Sequence, residues 1–315
     1  MQSLDPEEMT LMLDVTRRFY VQDQPKVAIA SALGLSRFQV ARILSDARRH
    51  GVVRIEIGAP GYLDETLGQE IAGLLNVKRA IVVHVEPGAR NQTVEFIGRT
   101  LATTLDQTVS EGDLIGLTWS RAIEAMTMHL THLRPCTVVQ LAGAVSFQGE
   151  YMGSVEIIRK VAEKAGGTAK PIYAPLLVDD PVVANGLRRQ ADIADVLQLA
   201  SRLDIAVTSI GSWRPMGSAL FDLVHEDLRQ QLAAAGAVGE ISGRIFDRNG
   251  QLVPSELDDR IIGVSMEQLT SAQRTITTSY GVHRAEATWA AAKAGLVDTL
   301  ILDNFLAQEL LNHTH

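Results

Sequence analysis

The chain has 315 residues, 46% hydrophobic and 21% charged, which excludes a disordered chain and leaves room for two globular domains. Cys136 is the only cysteine, which excludes an intrachain disulfide and a cysteine metal cluster and suits a reducing cytoplasm. The net charge of −8 gives by itself no sign of a nucleic-acid partner, so such a partner would have to meet a local basic stretch.

No membrane or export signal is recognisable in the sequence. No apolar run approaches the roughly 18 to 20 residues that cross a bilayer. The beginning of the chain carries Asp5, Glu7 and Glu8, where a signal peptide would be basic and then apolar. We therefore expect a cytoplasmic protein without a membrane partner.

Residues 5–20 form the first helical pattern. Asp5 and Pro6 are a typical cap and first-turn pair. One face of the predicted helix is apolar, through Met9, Met12 or Leu13, and Phe19. We predict that this helix supports a three-helix DNA-binding unit.

Residues 26–54 contain the basic stretch that the net charge hides, with six Lys or Arg against one Asp. Ala30, Gly34 and Val40 fall at the spacing of a helix-turn-helix. The small alanine lets the two helices approach, Gly34 can take the positive φ that ends the first helix, and Val40 packs the second helix onto the first.

Ser36 is a predicted N-cap, and Gln39 three residues later completes a capping box. The second helix then starts at Arg37 and presents its N-terminal end, which in helix-turn-helix proteins reads base edges in the major groove. The alternative is a helical hairpin with a solvated basic face. The predicted contacts to double-stranded operator DNA are Lys26, Ser36, Arg37, Phe38, Gln39, Arg42, Arg48 and Arg49.

Residues 52–57 alternate apolar and polar side chains and predict a short strand, and the turn signals at 58–62 mark a domain boundary. Residues 1–57 hold 8 Lys/Arg and 7 Asp/Glu, against 21 and 30 in residues 58–315. We predict a helix-turn-helix DNA-binding domain at 1–57 and a larger domain with another task at 58–315.

Beyond residue 62, short apolar runs alternate with helical patterns, which predicts a mostly parallel sheet with helices on both faces. The fold class is therefore α/β, with a small all-α helix-turn-helix domain followed by a Rossmann-like α/β domain. The predicted strands are 79–85, 113–118, 137–142, 204–210, 275–281 and 297–303. The predicted helices are 63–75, 91–105, 122–133, 155–165, 191–201, 220–235, 284–294 and 305–311.

The loops after the strands are rich in glycine and small hydroxyl residues. Ligands of parallel sheets bind outside the carboxyl ends of the strands, and free N–H groups at helix starts attract anions. Thr118, Ser120 and Arg121 could hold a phosphate or carboxylate. No loop matches a dinucleotide fingerprint or a phosphate-binding loop, and we predict no cofactor. The loops are 116–121, 141–145, 210–213, 236–247 and 279–287.

The order of motifs resembles the SorC family of sugar-responsive bacterial transcription regulators over essentially the whole chain. The resemblance is carried by LGLSRFQVARIL (33–44), HGVVRIEI (50–57), DLIGLTW (113–119), YAPLL (173–177), LDIAVTSIGS (203–212), GAVGEISGRIFDRNGQLV (236–253) and the tail 283–311. It implies that residues 58–315 bind an effector and oligomerise, with a fold similar to glucosamine-6-phosphate deaminase, ribose-5-phosphate isomerase and CoA transferases. It also implies a sugar, sugar phosphate or polyol effector without turnover, and a homo-oligomer, commonly a tetramer.

The sequence departs from the family pattern at four places, two of them residue pairs. Glu240 stands where aspartate is usual, Arg284 where lysine is frequent, and Tyr280-Gly281 where a glycine pair is common. Ser120-Arg121 replace a glycine and a small residue. Arginine offers a planar fork instead of a point charge, which favours an effector other than the usual phosphosugar.

We therefore predict an effector site in which Arg121 and Arg284 hold an acidic group and Glu240 accepts hydrogen bonds from hydroxyls. Its predicted members are Thr118, Trp119, Ser120, Arg121, Ala142, Gly143, Gly211, Ser212, Trp213, Glu240, Tyr280, Gly281 and Arg284. For the two tryptophans, plain packing is an equal alternative.

A second hypothesis is an isomerase- or transferase-like enzyme that carries a helix-turn-helix module, with Glu240, Arg284 and His283 as acid–base groups. Arginine is a poor proton carrier, so we predict no catalytic residues. His129 and His132 share a helix face at metal-ligand spacing, but no third ligand follows, and we predict no metal site.

Overall fold

The computed structural model describes residues 6–22, 24–50, 52–53, 62–88, 90–145 and 152–312. Its contacts divide the chain into two compact units, Met1–Ala59 and Pro60–His315. The predicted boundary at 58–62 and the predicted strand at 52–57 lie almost wholly outside the described residues, as does the predicted cap Asp5. Both the boundary and the strand stay predictions.

The described part of the N-terminal unit contains three helices, α1 (Pro6–Tyr20), α2 (Lys26–Leu33) and α3 (Arg37–Arg49). The axes of α2 and α3 differ by 105°, within the range of helix-turn-helix pairs. Gly34 ends α2 with φ +67°, a left-handed conformation that glycine adopts without steric cost. The predicted turn is confirmed.

The predicted capping box is also present. The Ser36 Oγ accepts from the Gln39 N–H at 3.2 Å, and the Gln39 Oε1 accepts from the Ser36 N–H at 2.8 Å. Val40 and Ala30 are buried as the spacing predicts, and they pack with Val15, Ile29 and Leu44. These residues form the small core on which the three helices meet.

Among the described residues, no single helix is long and apolar enough to cross a membrane. The bent pair of α2 and α3 together reaches the required length and apolar composition, on those two criteria alone.

The C-terminal unit alternates strands and helices, in agreement with the predicted α/β class. Its strands are β1 (Tyr62–Asp64), β2 (Arg79–His84), β3 (Leu114–Leu117), β4 (Thr137–Gln140), β5 (Thr168–Lys170), β6 (Ile205–Ser212), β7 (Ala237–Ile241), β8 (Arg244–Asp247), β9 (Arg274–Ser279) and β10 (Thr299–Asp303). Its helices are α4 (Glu65–Leu75), α5 (Arg90–Thr108), α6 (Arg121–His129), α7 (Ser154–Lys164), α8 (Pro181–Arg188), α9 (Ala191–Leu199), α10 (Ala219–Leu223), α11 (Glu226–Ala234), α12 (Glu256–Arg260), α13 (Met266–Thr270), α14 (Ala285–Lys293) and α15 (Asn304–Asn312). Two short 3-10 turns lie at Ala200–Arg202 and Val282–Arg284.

One sheet organises this unit, with strand order β1-β2-β10-β9-β6-β3-β4-β5. The strands from β2 to β5 along this order pair in parallel, and β1 joins the edge in antiparallel pairing. The end of β6 continues past its parallel partners and pairs antiparallel with β7, which forms a hairpin with β8. The carboxyl ends of β3, β4, β6 and β9 therefore meet at one edge.

Both faces of the sheet are buried, which accounts for the continuous apolar runs of the strands. Ile205 and Val207 face the cluster formed with α5, α6 and α7, whereas Ala206 between them faces the cluster formed with α4, α9, α14 and α15. A third cluster packs the β7–β8 hairpin against α10, α11 and α12.

Several predicted elements differ from the structure. The loop predicted at 236–247 is the β7–β8 hairpin, because the Ser242-Gly243 pair allows a two-residue turn. The single helix predicted at 220–235 is split into α10 and α11 after Leu223. The helix predicted at 122–133 ends at His129, and residues 62–64 form β1 instead of the start of α4.

Two glycines of α4 provide a matched test of its packing against β2. A Cβ at Gly68 would lie 2.7 Å from the Ala80 carbonyl oxygen, whereas a Cβ at Gly73 would meet nothing within 4 Å. We expect Gly68→Ala to lower the free energy of unfolding by about 1–3 kcal/mol through overpacking. Gly73→Ala should raise it by up to about 1 kcal/mol, because alanine favours the helix. Urea denaturation of both variants measures the difference; equal effects would contradict the close approach at Gly68.

Candidate functional site

A cavity lies at the edge of the sheet where the parallel strands end. We call it the outer chamber; its volume is about 190 Å³. It is lined by the last part of β6, by residues that follow β3, β6 and β9, and by one residue of β7. They are Trp119, Ser120, Arg121, Ser209, Ile210, Gly211, Met216, Gly217, Ser218, Ala219, Asp222, Glu240, Tyr280 and Arg284.

A smaller cavity of about 50 Å³, the inner chamber, adjoins the outer one. The two share Trp119, Ser209, Ala219 and Glu240 in their linings, and none of the inner chamber's lining residues is exposed. Its lining is Thr118, Trp119, Ala142, Gly143, Val145, Leu176, Ser209, Ala219, Leu220, Glu240, Ser242 and Gly243.

Glu240 projects from β7 at the junction of the two chambers. Its Oε1 accepts a hydrogen bond from the Ser218 hydroxyl at 3.0 Å, and its Oε2 accepts from the Gly243 N–H at 3.0 Å. The residue as a whole is half-buried, but its carboxyl group lies away from water. Burial raises the pKa of this carboxyl above its usual range; the two hydrogen bonds and the Arg284 charge oppose that rise without cancelling it.

The register of β6 and β7 sets the position of this carboxyl. Glu240 stands opposite Gly211, and a Cβ at Gly211 would lie 2.7 Å from the Glu240 Oε1. A glycine at 211 is therefore what allows the carboxylate to lie across the end of β6.

Arg284 is anchored by backbone carbonyls from three segments. Its Nε donates to Ile210 O at 3.1 Å, one terminal nitrogen donates to Gly217 O at 3.2 Å, and the other donates to Tyr280 O. Its guanidinium also lies 4.8 Å from the centre of the Tyr280 ring, a cation–π distance. These contacts hold the charge at the wall of the outer chamber.

The first turn of α6 forms another wall. Ser120 is its N-cap, with Oγ accepting from the Ile123 N–H at 3.1 Å, and exposed Arg121 is its first residue. The Trp119 indole donates to Met152 O at 3.0 Å, which fixes the ring between the two chambers.

Most of the sequence-predicted site residues come together here. Seven line the outer chamber, namely Trp119, Ser120, Arg121, Gly211, Glu240, Tyr280 and Arg284. Thr118, Ala142 and Gly143 line the inner chamber. Gly281 lines a neighbouring groove of about 500 Å³, together with His283 and Arg214.

Ser212 and Trp213 line neither chamber. Trp213 is buried, stacks edge-on against Phe221 at 5.1 Å and donates its indole N–H to Arg229 O. Trp213 therefore packs under α10 and α11, and the packing role that the sequence analysis left open as an alternative applies to it. The loop predicted at 210–213 belongs to β6 as far as Ser212.

The sequence analysis missed several lining residues. Ser218 caps α10 with its hydroxyl and also bonds Glu240; serine directly before an apolar helical run is a cap signal that could have been recognised. Ser242 and Gly243 enter the inner chamber from the hairpin turn, which the interpretation of 236–247 as a loop concealed.

Other candidate groups have structural partners. The His129 Nε2 lies 2.6 Å from the Glu95 Oε1, and Asp180 caps α8 by accepting from the Val182 N–H. Within the described part of the chain, no three His, Cys, Asp or Glu side chains are grouped as metal ligands. Burial raises the pKa of the Cys136 thiol to about 11, which keeps it protonated.

In the N-terminal unit, the predicted DNA contacts lie largely on the surface of α3. Arg37, Phe38, Gln39 and Arg42 are exposed there, Phe38 to 86%. The Gln39 carbonyl is occupied by the capping box. The remaining predicted contacts differ in their surroundings: Arg48 is exposed, Arg49 forms an ion pair with Asp46, and the Lys26 ammonium lies 5.3 Å from the centre of the Phe19 ring.

Comparisons with known proteins cover both units. A family model described as a sugar-binding domain matches residues 63–312. The chain is 27% identical over 312 residues to the deoxyribonucleoside regulator of Bacillus subtilis, covering 98% of this chain and 99% of that protein. It is 24% identical over 316 residues to the sorbitol operon regulator of Klebsiella pneumoniae, covering 97% and 98%.

Solved structures share the fold. The crystal structure of the full-length Klebsiella pneumoniae sorbitol operon regulator SorC matches with a TM-score of 0.74 at 23% identity, covering 98% of this chain and 100% of that chain. A transcriptional regulator from Streptococcus pneumoniae matches with a TM-score of 0.73 at 22% identity, covering 79% and 97%. With a family model over most of its length and regulators as full-length relatives, the chain belongs to the SorC family of bacterial transcription regulators.

Proposed function

We propose that the N-terminal unit binds double-stranded operator DNA in the cytoplasm and that a small sugar-like effector, bound in the two chambers, controls this binding. The observation that carries the proposal is the presence in one chain of a capped helix-turn-helix and of a polar cavity at the strand ends of a sugar-binding domain. The deoxyribonucleoside and sorbitol operon regulators, which match along the whole chain, support the same division of tasks.

On the DNA side, Arg37 and Arg42 would read base edges from the N-terminal half of α3. Arginine makes bidentate contacts with guanine, and the exposed Phe38 ring suits contact with a thymine methyl group. Gln39 would contribute through its Nε2, because its carbonyl oxygen caps α3. Lys26, Ser36, Arg48 and Arg49 would meet phosphates and set the register.

We expect Arg37→Ala to lose operator discrimination, at a cost of about 1–3 kcal/mol. Arg48→Ala should weaken operator and scrambled DNA alike, because a phosphate contact carries no sequence information. Gel-shift titrations on an operator obtained by in vitro selection measure both effects. Arg202→Ala, which removes an equal charge from the C-terminal unit, is the control; operator affinity of Arg37→Ala equal to that of the control would contradict the assignment.

On the effector side, Arg121 and Arg284 would hold an acidic group in the outer chamber, and Glu240 would meet ligand hydroxyls between the chambers. Arg284 gives three of its five N–H donors to carbonyls. Lysine has three donors on a single nitrogen and could not maintain this arrangement.

We expect Glu240→Ala to abolish the response to effector and to leave operator binding intact, because the acid belongs to the C-terminal unit. Arg284→Lys should weaken effector binding about tenfold or more despite the retained charge. Mass spectrometry of co-purified small molecules identifies the ligand, and calorimetry measures its affinity. Glu226→Ala on the exposed start of α11 is the control. Wild-type affinity in both site variants would exclude this pocket.

We infer that the protein acts without turnover. Glu240 receives two hydrogen bonds, Arg284 is bound to three carbonyls, and His283, the third residue of the enzymatic alternative, lines the neighbouring groove instead of either chamber. A general base must lie within hydrogen-bond reach of the substrate proton that it removes, and His283 does not line the chambers proposed to hold the ligand. Incubation with sugar phosphates followed by mass spectrometry tests this inference; any isomerised product would overturn it.

We also propose a homotetramer assembled through residues 58–315. The separate cores of the two units support independent folding.

A fragment of residues 58–315 should fold, remain tetrameric and fail to bind operator. Size-exclusion chromatography with light scattering gives its mass, and a gel shift tests DNA binding. A folded but monomeric fragment would move the assembly contacts to residues 1–57.

A further inference from the structure

We propose that the inner chamber receives an uncharged hydroxymethyl end of the effector, and that any charged group of the effector remains in the outer chamber. This inference rests on the effector function proposed above and specifies the ligand's chemistry at one end. It predicts polyols and singly acidic sugars as ligands, and it excludes compounds with an acid at both ends.

The hydroxyl of Ser242 is the first observation. Ser242 lines the inner chamber and is only 7% exposed. Its Oγ has no hydrogen-bond partner among the described residues. A buried hydroxyl without a partner destabilises a protein. A ligand hydroxyl next to it would remove that cost, which an apolar ligand group could not do.

The backbone at Ser242 points to the same role. Ser242 and Gly243 connect β7 to β8 with φ values of +54° and +85°, as in a type I′ hairpin turn. Such turns favour Asn, Asp or Gly at the first position, because other side chains are strained at positive φ. The turn itself therefore does not favour serine at 242, whereas a hydroxyl lining a ligand chamber accounts for it.

The electrostatic surroundings exclude an anion from the inner chamber. Among its described lining residues, Glu240 is the only ionisable side chain. The removal of water that raises the pKa of Glu240 also disfavours a ligand carboxylate or phosphate at the same place. The outer chamber, by contrast, has Arg121 and Arg284 in its lining.

The size of the inner chamber fits a hydroxymethyl group. Its volume is about 50 Å³, more than the roughly 30 Å³ that one water occupies in the liquid. Its lining also includes the apolar side chains of Val145, Leu176 and Leu220 and the hydroxyl residues Thr118 and Ser209. One carbon can contact these walls while its hydroxyl reaches Ser242 or Glu240.

The experiment uses the full chain and three matched series of probes: xylitol, xylonate and xylarate; glucitol, gluconate and glucarate; galactitol, galactonate and galactarate. Within a series the middle carbons are the same, and only the end groups change from hydroxymethyl to carboxylate. Thermal shift detects binders, and calorimetry gives their Kd. We expect at least one alditol or aldonate to bind, and the matching aldarate to bind at least 100-fold more weakly.

Two serine variants separate a ligand contact from the loss of a buried hydroxyl. Ser242→Ala should weaken the best probe about 2- to 10-fold, the effect of one hydrogen bond. Ser212→Ala is the matched control, because Ser212 is also buried with an unpartnered Oγ but lines neither chamber. It should leave the Kd unchanged.

An aldarate that binds within tenfold of its aldonate overturns the inference, as does equal probe affinity in the Ser242→Ala and Ser212→Ala variants. If such an aldarate also changes operator binding in a gel shift, the proposed function stands and only the chemistry of the inner chamber is wrong. Absence of binding by all nine probes also overturns the inference. The proposed function is then judged separately, by whether a co-purified molecule alters operator binding.

Discussion

The candidate site depends on the antiparallel pairing of β7 with the last residues of β6. Along the parallel part of the sheet, β6 lies between β3 and β9, and its final three residues pair with Ile241, Glu240 and Gly239. This hairpin brings an acid from a later part of the chain to the edge where ligands of parallel sheets bind. The absence of a side chain at Gly211 leaves room for the Glu240 carboxyl. The pairing of β6 with β7 and the glycine at 211 therefore together place the Glu240 carboxyl where the two chambers meet.

Arg284 connects the other parts of the same edge. Its nitrogens donate to carbonyls at Ile210 on β6, at Gly217 in the following loop and at Tyr280 after β9. These segments are distant in sequence, and one guanidinium fixes their spacing through hydrogen bonds whose acceptors would otherwise need water. Exchange of Arg284 for lysine would keep the charge but would lose the hydrogen bonds that hold this wall together.

The parallel sheet and the three N-terminal helices could be predicted because they follow from local patterns. Ten of the thirteen predicted site residues line the chambers; their positions after strands and the family resemblance together pointed to them. The period of apolar residues specifies strands and helices, and the Ser36–Gln39 box and Gly34 are readable at short range. The proximity of Ser218 to Glu240 was missed because it requires β7 to pair with β6. Ser242 was missed because residues 236–247 were interpreted as a loop and not as a hairpin. Trp213 illustrates the reverse case, since the extra length of β6 turned a predicted ligand contact into packing.

Several features that cost stability lie at this edge of the C-terminal unit. Within the sheet, buried hydroxyls pair with one another, as Thr208 does with Thr277 at 2.9 Å and Ser279 with Thr288 at 2.8 Å. At the chambers, Ser242 has an unpartnered hydroxyl and a left-handed backbone, and Glu240 has a desolvated carboxyl. Met216, another lining residue, is also left-handed, with φ +57°. Each feature costs free energy in the free protein, and a ligand hydroxyl could recover the part that comes from missing hydrogen bonds. A polar ligand bound at this edge would supply hydrogen bonds that the free protein lacks. Its binding would therefore stabilise the hairpin on which the site depends.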